Sequence, residues 1–208
     1  MNKGIFITLE GIEGVGKTTH ARFAADLLEQ QGRKIILTRE PGGTVAGEAI
    51  RKILLHSQRH DLSAEAELLL MFAARAQHLQ EVILPALAEG NIVICDRFTD
   101  ASFAYQGGGR GIVFEQIRIL EQWVQNDLRP DVTLLLDVDV KTGLDRAGTR
   151  SEADRFESET LHFFERARTT YLARAEAEPL RICVIDASGT VEEVQRQISR
   201  VLQEKGLC

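Results

Sequence analysis

Gly11-Ile12-Glu13-Gly14-Val15-Gly16-Lys17-Thr18 follows the apolar run IFITL at 5–9 and opens into a helical pattern over 17–31 that ends at Gly32. Glycines at 11, 14 and 16 let the backbone curl so that several N–H groups point inward together. A helix beginning near Lys17 adds the positive end of its dipole at the same spot. Strand, glycine loop and helix in this order form a cradle for the phosphates of a nucleoside triphosphate. Lys17 is expected to neutralise the β- and γ-phosphates, and the Thr18 hydroxyl to ligate Mg²⁺. The residues expected to bind ATP are Gly11, Ile12, Glu13, Gly14, Val15, Gly16, Lys17, Thr18 and Thr19.

Four further apolar runs share the character of 5–9: IILT at 35–38, IVIC at 92–95, VTLLLD at 132–137 and ICVID at 182–186. Each is rich in Ile, Val or Leu without clean polar alternation, as expected of strands covered on both faces of a parallel sheet. Amphipathic stretches separate them, one of which opens on Thr190 with Glu193 three residues later, a capping box. The predicted fold is α/β, a P-loop NTPase fold with a five-stranded parallel sheet between helices. Residues 64–89 read as helix on both sides of Pro85, with a kink expected there. Residues 148–156 are polar and densely charged, a surface segment between two helices. No repeat or linker divides the chain, so 1–208 is expected to be one domain with a short lid at about 146–157.

The formal charge is −6 and argues against a nucleic-acid binder, which needs a net basic face. Cys95, Cys183 and Cys208 are odd in number, far apart and without metal-ligand spacing. The apolar run near the N-terminus stops at Glu10, too short for a secretory signal, and no stretch suits a membrane span. A cytoplasmic location is expected.

A triphosphate site alone fits switches and motors as well as enzymes, although the Asn-Lys-x-Asp run of a guanine-reading switch does not occur. The acceptor side carries the rest. Asp96-Arg97 ends the third apolar run, at the sheet edge where ligands of open α/β folds collect. Asp96 there can hold Mg²⁺ and Arg97 can bridge two phosphates, although a strand-end ion pair would look the same. Arg39-Glu40-Pro41-Gly42-Gly43-Thr44 ends the second run at the same edge, and its proline and glycines fix a turn from which Arg39 projects. Met71, Phe72 and Arg75 share a helical face, suited to a base with a phosphate nearby, or to plain core packing. Ser102, Tyr105 and Gln106 share another, just before Gly107-Gly108-Gly109-Arg110; Gln106 can pair with a pyrimidine edge, and Tyr105 under the sugar could exclude a 2′-hydroxyl. Arg146, Arg150 and Arg155 crowd the charged segment, where a lid could bring them over the transferring group.

These pieces, in this order and spacing, resemble the bacterial thymidylate kinase family along nearly the whole chain: Gly11–Thr18, REPGGT at 39–44, LMFAARAQH at 70–78, Asp96-Arg97, YQGGGRG at 105–111, Arg129-Pro130-Asp131 and DRFE at 154–157. The resemblance implies phosphorylation of dTMP by MgATP in a homodimer. Catalytic roles then fall to Lys17, Arg97, Arg146, Arg150 and Glu13, the last beside the acceptor's 3′-hydroxyl and Mg²⁺. It implies that Arg39, Arg75 and Arg97 hold the dTMP phosphate, that Ser102 and Gln106 touch thymine, that Tyr105 disfavours ribose, and that Pro41 lines the dTMP pocket. Thr18 and Asp96 would serve the metal, and adenine would lie between the lid and the loop after Asp186. Relatives often stack thymine on a phenylalanine four residues before the arginine; that position is Met71, so either Phe72 takes the role by a small helix rotation, which is the favoured expectation, or Met71 packs on the ring edge. Phe98 stands where a tyrosine is often found. A kinase for another nucleoside monophosphate, or a non-catalytic ATP-dependent switch, stays open.

Overall fold

The computed structural model describes residues 4–56, 62–148, 155–156 and 159–208. Its centre is a parallel sheet of β1 (Ile5–Glu10), β2 (Ile35–Arg39), β3 (Ile92–Asp96), β4 (Val132–Asp137) and β5 (Ile182–Asp186), in the order β2-β3-β1-β4-β5. All five predicted runs are strands. β1 and β3 alternate between two layers, Ile7, Leu9, Ile92 and Ile94 packing to one side and Phe6, Val93 and Cys95 to the other. Helices therefore cover both faces of the centre. Coverage thins at the margin: β2 is an edge strand, only partly buried, with Leu37 45% exposed.

Helix α1 (Lys17–Glu29) packs Ala21, Ala24 and Leu28 on the sheet and ends one turn before the left-handed Gly32. α2 (Val45–His56) follows β2. α3 (Ala64–His78) starts on a Ser63 cap and runs into a π-helical turn at Leu79–Ile83, then α4 (Leu84–Ala88). The irregularity expected at Pro85 thus falls one turn earlier. Proline has no N–H to give to the carbonyl four residues back, and the turn before it widens instead, with the Leu84 N–H bonded to the Leu79 carbonyl.

After β3, the short α5 (Thr99–Ser102) continues as a π-helical segment over Phe103–Gly109, so the glycine run lies inside a helix and not beyond it. α6 (Phe114–Gln125), α7 (Val140–Gly148), α8 (Leu161–Ala177) and α9 (Val191–Glu204) complete the described elements, α9 opening with the predicted Thr190–Glu193 capping box. No helix among the described residues is long and apolar enough to cross a membrane.

The three glycines of the π-helical segment are packing requirements. A Cβ on Gly107 would lie 2.4 Å from the Phe114 ring, on Gly108 2.2 Å from Thr170 Oγ1, and on Gly109 2.4 Å from the Phe163 ring. Helix α8 rests on this bare backbone, and Arg166 donates to the carbonyls of Gly108 (3.0 Å) and Gly109 (2.6 Å). Gly108→Ala should cost about 1–3 kcal/mol by overpacking and lower the melting temperature by roughly 3–10 °C, read by circular dichroism. An unchanged melting temperature would show that α8 can move away.

Candidate active site

The strand register brings the candidate residues together. Leu9 and Arg39 both pair with Asp96, so β1, β2 and β3 end level and release Glu10-Gly11, Glu40-Pro41 and Arg97 into one crevice. A cavity of about 320 Å³ opens there, lined by Lys17 and Thr18 on one wall and by Arg39, Arg75 and Arg97 on the others. The predicted positions Glu13, Gly14, Pro41, Met71, Asp96, Ser102, Tyr105 and Gln106 line it as well.

The glycine loop is tightly built. Gly11, Gly14 and Gly16 all have positive φ. A Cβ on Gly14 would fall 1.8 Å from the Gly143 carbonyl oxygen, and one on Gly11 2.3 Å from that of Leu136. Ile12 and Val15 bury their side chains in the main core, leaving only backbone to the loop, while Thr19 is exposed on the first turn of α1. Lys17 Nζ donates to the carbonyls of Gly11 (3.0 Å) and Ile12 (2.7 Å). Its burial, then the nearby Arg97 charge, pulls the ammonium down to about 8. Thr18 Oγ1 donates to Asp96 Oδ2 at 3.0 Å. No cluster of three or more His, Cys, Asp or Glu suited to a metal exists among the described residues. A hydroxyl and one carboxylate nonetheless fit Mg²⁺, which keeps waters and takes its other oxygens from phosphates.

Arg97 has a φ of +71°, an uncommon backbone for a residue with a side chain. Its guanidinium donates to the Gly11 carbonyl and to Glu13 Oε1, each at 2.8 Å, and lies over the Tyr105 ring. The Tyr105 hydroxyl donates to Glu13 Oε2 at 2.6 Å, so Glu13 is clamped from two sides. Behind Arg97, Glu10 accepts the Phe98 N–H and the Tyr171 hydroxyl, each at 2.7 Å, and burial, aided by Asp100, pushes its carboxyl up to about 8.

Arg75 is the largest side chain in the fully buried interior. Its Nε donates to Glu40 Oε2 (2.7 Å), and Nη2 to Ser102 Oγ (3.1 Å). Glu40 also meets His78 Nδ1 at 3.0 Å, and His78 Nε2 meets Thr38 Oγ1 at 2.7 Å. Arg75 lines the cavity, and its Nη1 is a buried donor without a protein hydrogen-bond partner. Arg39 is more exposed and grips Glu48 through Nη2 at 2.9 and 3.0 Å.

The placement of Phe72 corrects one expectation. Phe72 is 2% exposed, packs with Leu68, Phe103 and Ile117, and lies 4.6 Å beneath the Arg75 guanidinium, away from the cavity. Met71 lines the cavity, because α3 keeps its regular phase through these positions. Arg146, expected to be catalytic, donates through Nη1 and Nη2 to the carbonyls of Ala187 (2.8 Å) and Ser188 (3.0 Å) in the loop after β5 and is not among the residues that line the cavity. Arg150 and most of the lid lie outside the described residues.

Glu40, His78, Glu67, Glu10 and Arg51 escaped the sequence reading. Glu40 sits inside a motif already singled out, and only that adjacency could have raised it. Glu67, wholly buried, accepts from Gln106, Arg110 and Arg155, yet along the chain it looks like an ordinary first-turn acid of α3.

A family model described as thymidylate kinase matches residues 9–198. The thymidylate kinase of Pseudomonas syringae pv. tomato is 55% identical over 201 residues, 97% of this chain and 96% of that protein. That of Thiobacillus denitrificans is 56% identical over 201 residues, 97% of each. The crystal structure of thymidylate kinase from Ehrlichia chaffeensis superposes with a TM-score of 0.79 at 36% identity, covering 97% of this chain and 99% of that one.

A depressed ammonium at the phosphate cradle has a measurable consequence. Above pH 8 Lys17 is increasingly uncharged in the ligand-free protein, and an incoming triphosphate favours the charged form. Triphosphate binding should therefore take up little proton at pH 7.5 and approach one proton near pH 9, weakening as the pH rises. Calorimetry in buffers of different ionisation enthalpy measures this, and no uptake at pH 9 would mean that Lys17 is already charged.

Proposed function

The chain belongs to the thymidylate kinase family, and from that premise we propose how its residues carry out the family's reaction. It transfers the γ-phosphoryl group of MgATP to dTMP, giving dTDP and ADP. An oxygen of the dTMP phosphate attacks the γ-phosphorus in line, and the bond to the β,γ-bridging oxygen breaks. Its electron pair leaves on ADP. No covalent enzyme intermediate is needed, and catalysis rests on positioning and charge neutralisation.

The loop 11–19 holds the triphosphate through its N–H groups, and Lys17 leaves its two carbonyl partners for phosphate oxygens. Thr18 and Asp96 would hold Mg²⁺, which when bound neutralises charge on the β- and γ-phosphates. Arg97 takes the acceptor phosphate together with Arg39, supported by its position against Gly11 between the two substrates. Arg75 belongs at the other end of the acceptor. Glu40 already compensates its charge, Ser102 shares its edge, and its orphaned Nη1 suits a neutral carbonyl of the base better than a dianion. Met71 packs on the thymine face, Pro41 closes the pocket, and the clamped pair Glu13–Tyr105 faces the sugar, with Tyr105 excluding a 2′-hydroxyl. Arg146, flat against the loop after β5, serves the adenine side, and Arg150 supplies charge to the transferring group.

Residues 1–208 form one domain with a lid at about 146–157, acting in the cytoplasm with three free thiols and, at a net charge of −6, without nucleic acid. Two copies pair through α3 and α6, where Leu69, Ile119 and Trp123 are 56, 59 and 78% exposed. Scattered apolar residues are ordinary, but an exposed tryptophan one helical turn from an exposed isoleucine favours an interface.

The single observation that carries the reading is the convergence of Lys17, Arg97 and Arg75 on one cavity at the level ends of three strands. ADP release across a panel of monophosphates tests it. dTMP should be the best acceptor, with dUMP lower by roughly 10- to 200-fold for the missing methyl group. ATP hydrolysis unaffected by any acceptor would sink the kinase reading. For the dimer, sedimentation should give twice the 23.2 kDa chain mass, and Trp123→Asp should give monomers. A monomeric wild type refutes the pairing.

A further inference from the structure

Gln106 is 1% exposed, lines the cavity, and donates from Nε2 to Glu67 Oε1 at 2.8 Å. Glu67 is 0% exposed and takes two cationic donors besides, Arg110 Nε at 3.2 Å and Arg155 Nη1 at 2.6 Å. A carboxylate held between two guanidiniums can only accept. The two ends of a glutamine amide look alike in shape, but here chemistry distinguishes them: only the nitrogen can face Glu67. The carbonyl oxygen is left on the opposite edge, and no donor among the described residues reaches it.

We propose that Glu67 is a specificity-determining positioning residue: it locks the Gln106 amide so that its carbonyl, a fixed acceptor, meets the acceptor base. Thymine and uracil carry a hydrogen on the ring nitrogen between their two carbonyls and satisfy that oxygen. Cytosine presents a lone pair there, and two acceptors oppose one another. An unrestrained glutamine would turn over and donate to cytosine. Here that rotation would set the amide oxygen against a buried carboxylate. Sites that demand a hydrogen bond in this way reject the wrong partner by about 10⁴-fold or more, far beyond what one methyl contact supplies. The proposal rests on the reading above that the base lies against Gln106.

Three measurements decide it. In Glu67→Gln, the ratio of kcat/KM for dTMP over dCMP should fall at least about tenfold while the dTMP to dUMP ratio holds, since both of those bases carry the ring hydrogen. An equal loss for all three acceptors would mean that Glu67 only supports the fold, and overturns the idea. If that variant does not fold, nitrogen-15 NMR of the wild type decides. The Gln106 side-chain NH₂ should exchange slowly without nucleotide and stay so with dTMP; protection gained only on adding dTMP would place the nitrogen on the base and refute the lock. Gln106→Leu separates the premise from the inference: an unchanged dTMP to dCMP ratio there would show that Gln106 does not read the base at all.

Discussion

Everything at this site depends on three parallel strands ending at the same height. Leu9, Arg39 and Asp96 lie abreast in the register, so the residues that follow each strand emerge side by side. A shift of one residue in β2 or β3 would turn its side chains to the other face and withdraw Arg39 or Asp96 from the crevice. Buried apolar packing on both faces of β1 and β3 prevents that slip. The chemistry is thereby coupled to the part of the molecule that is hardest to deform.

The second constraint is electrostatic. A crevice that must receive two phosphorylated substrates needs guanidinium groups in place beforehand, and those groups repel one another when the ligands are absent. Paired acids solve this locally: Glu13 for Arg97, Glu40 for Arg75, Glu48 for Arg39, and Glu67 for Arg110 and Arg155. The pairs are unequal. Arg39–Glu48 is half exposed and contributes little, whereas Arg75–Glu40 is buried, and removing one partner there would cost about 3–5 kcal/mol. The exposed pair can open, whereas the buried one holds a fixed geometry.

What could be read from the chain follows from the range of the interactions involved. The glycine loop, the five strands and the capping box at Thr190 are written in residues close in sequence, and each was legible. The partners of Arg75 and Gln106 come from 35 and 39 positions away, so no local pattern announces them. Met71 and Phe72 are adjacent and similar in volume, and only the absolute rotation of α3 against its neighbours decides which faces the cavity. The position of Arg146 was hidden for a related reason: it shares a charged run with Arg150 and Arg155, but α7 carries it to the loop after β5.

The π-helical segment joins these themes. Tyr105 and Gln106 are neighbours in the chain, about a quarter-turn apart around the axis of a widened helix. They therefore reach different walls of the cavity, Tyr105 to Glu13 of the glycine loop and Gln106 to Glu67 of α3. One turn of backbone thus sets two walls of the cavity together. The widened turn ends with carbonyls that its own ladder does not satisfy, and Arg166 of α8 caps two of them. That cap needs α8 to approach closely, which the bare glycines 107–109 permit. The glycine run therefore shapes the cavity without lining it, since any side chain on it would push away the helix that packs against Tyr105.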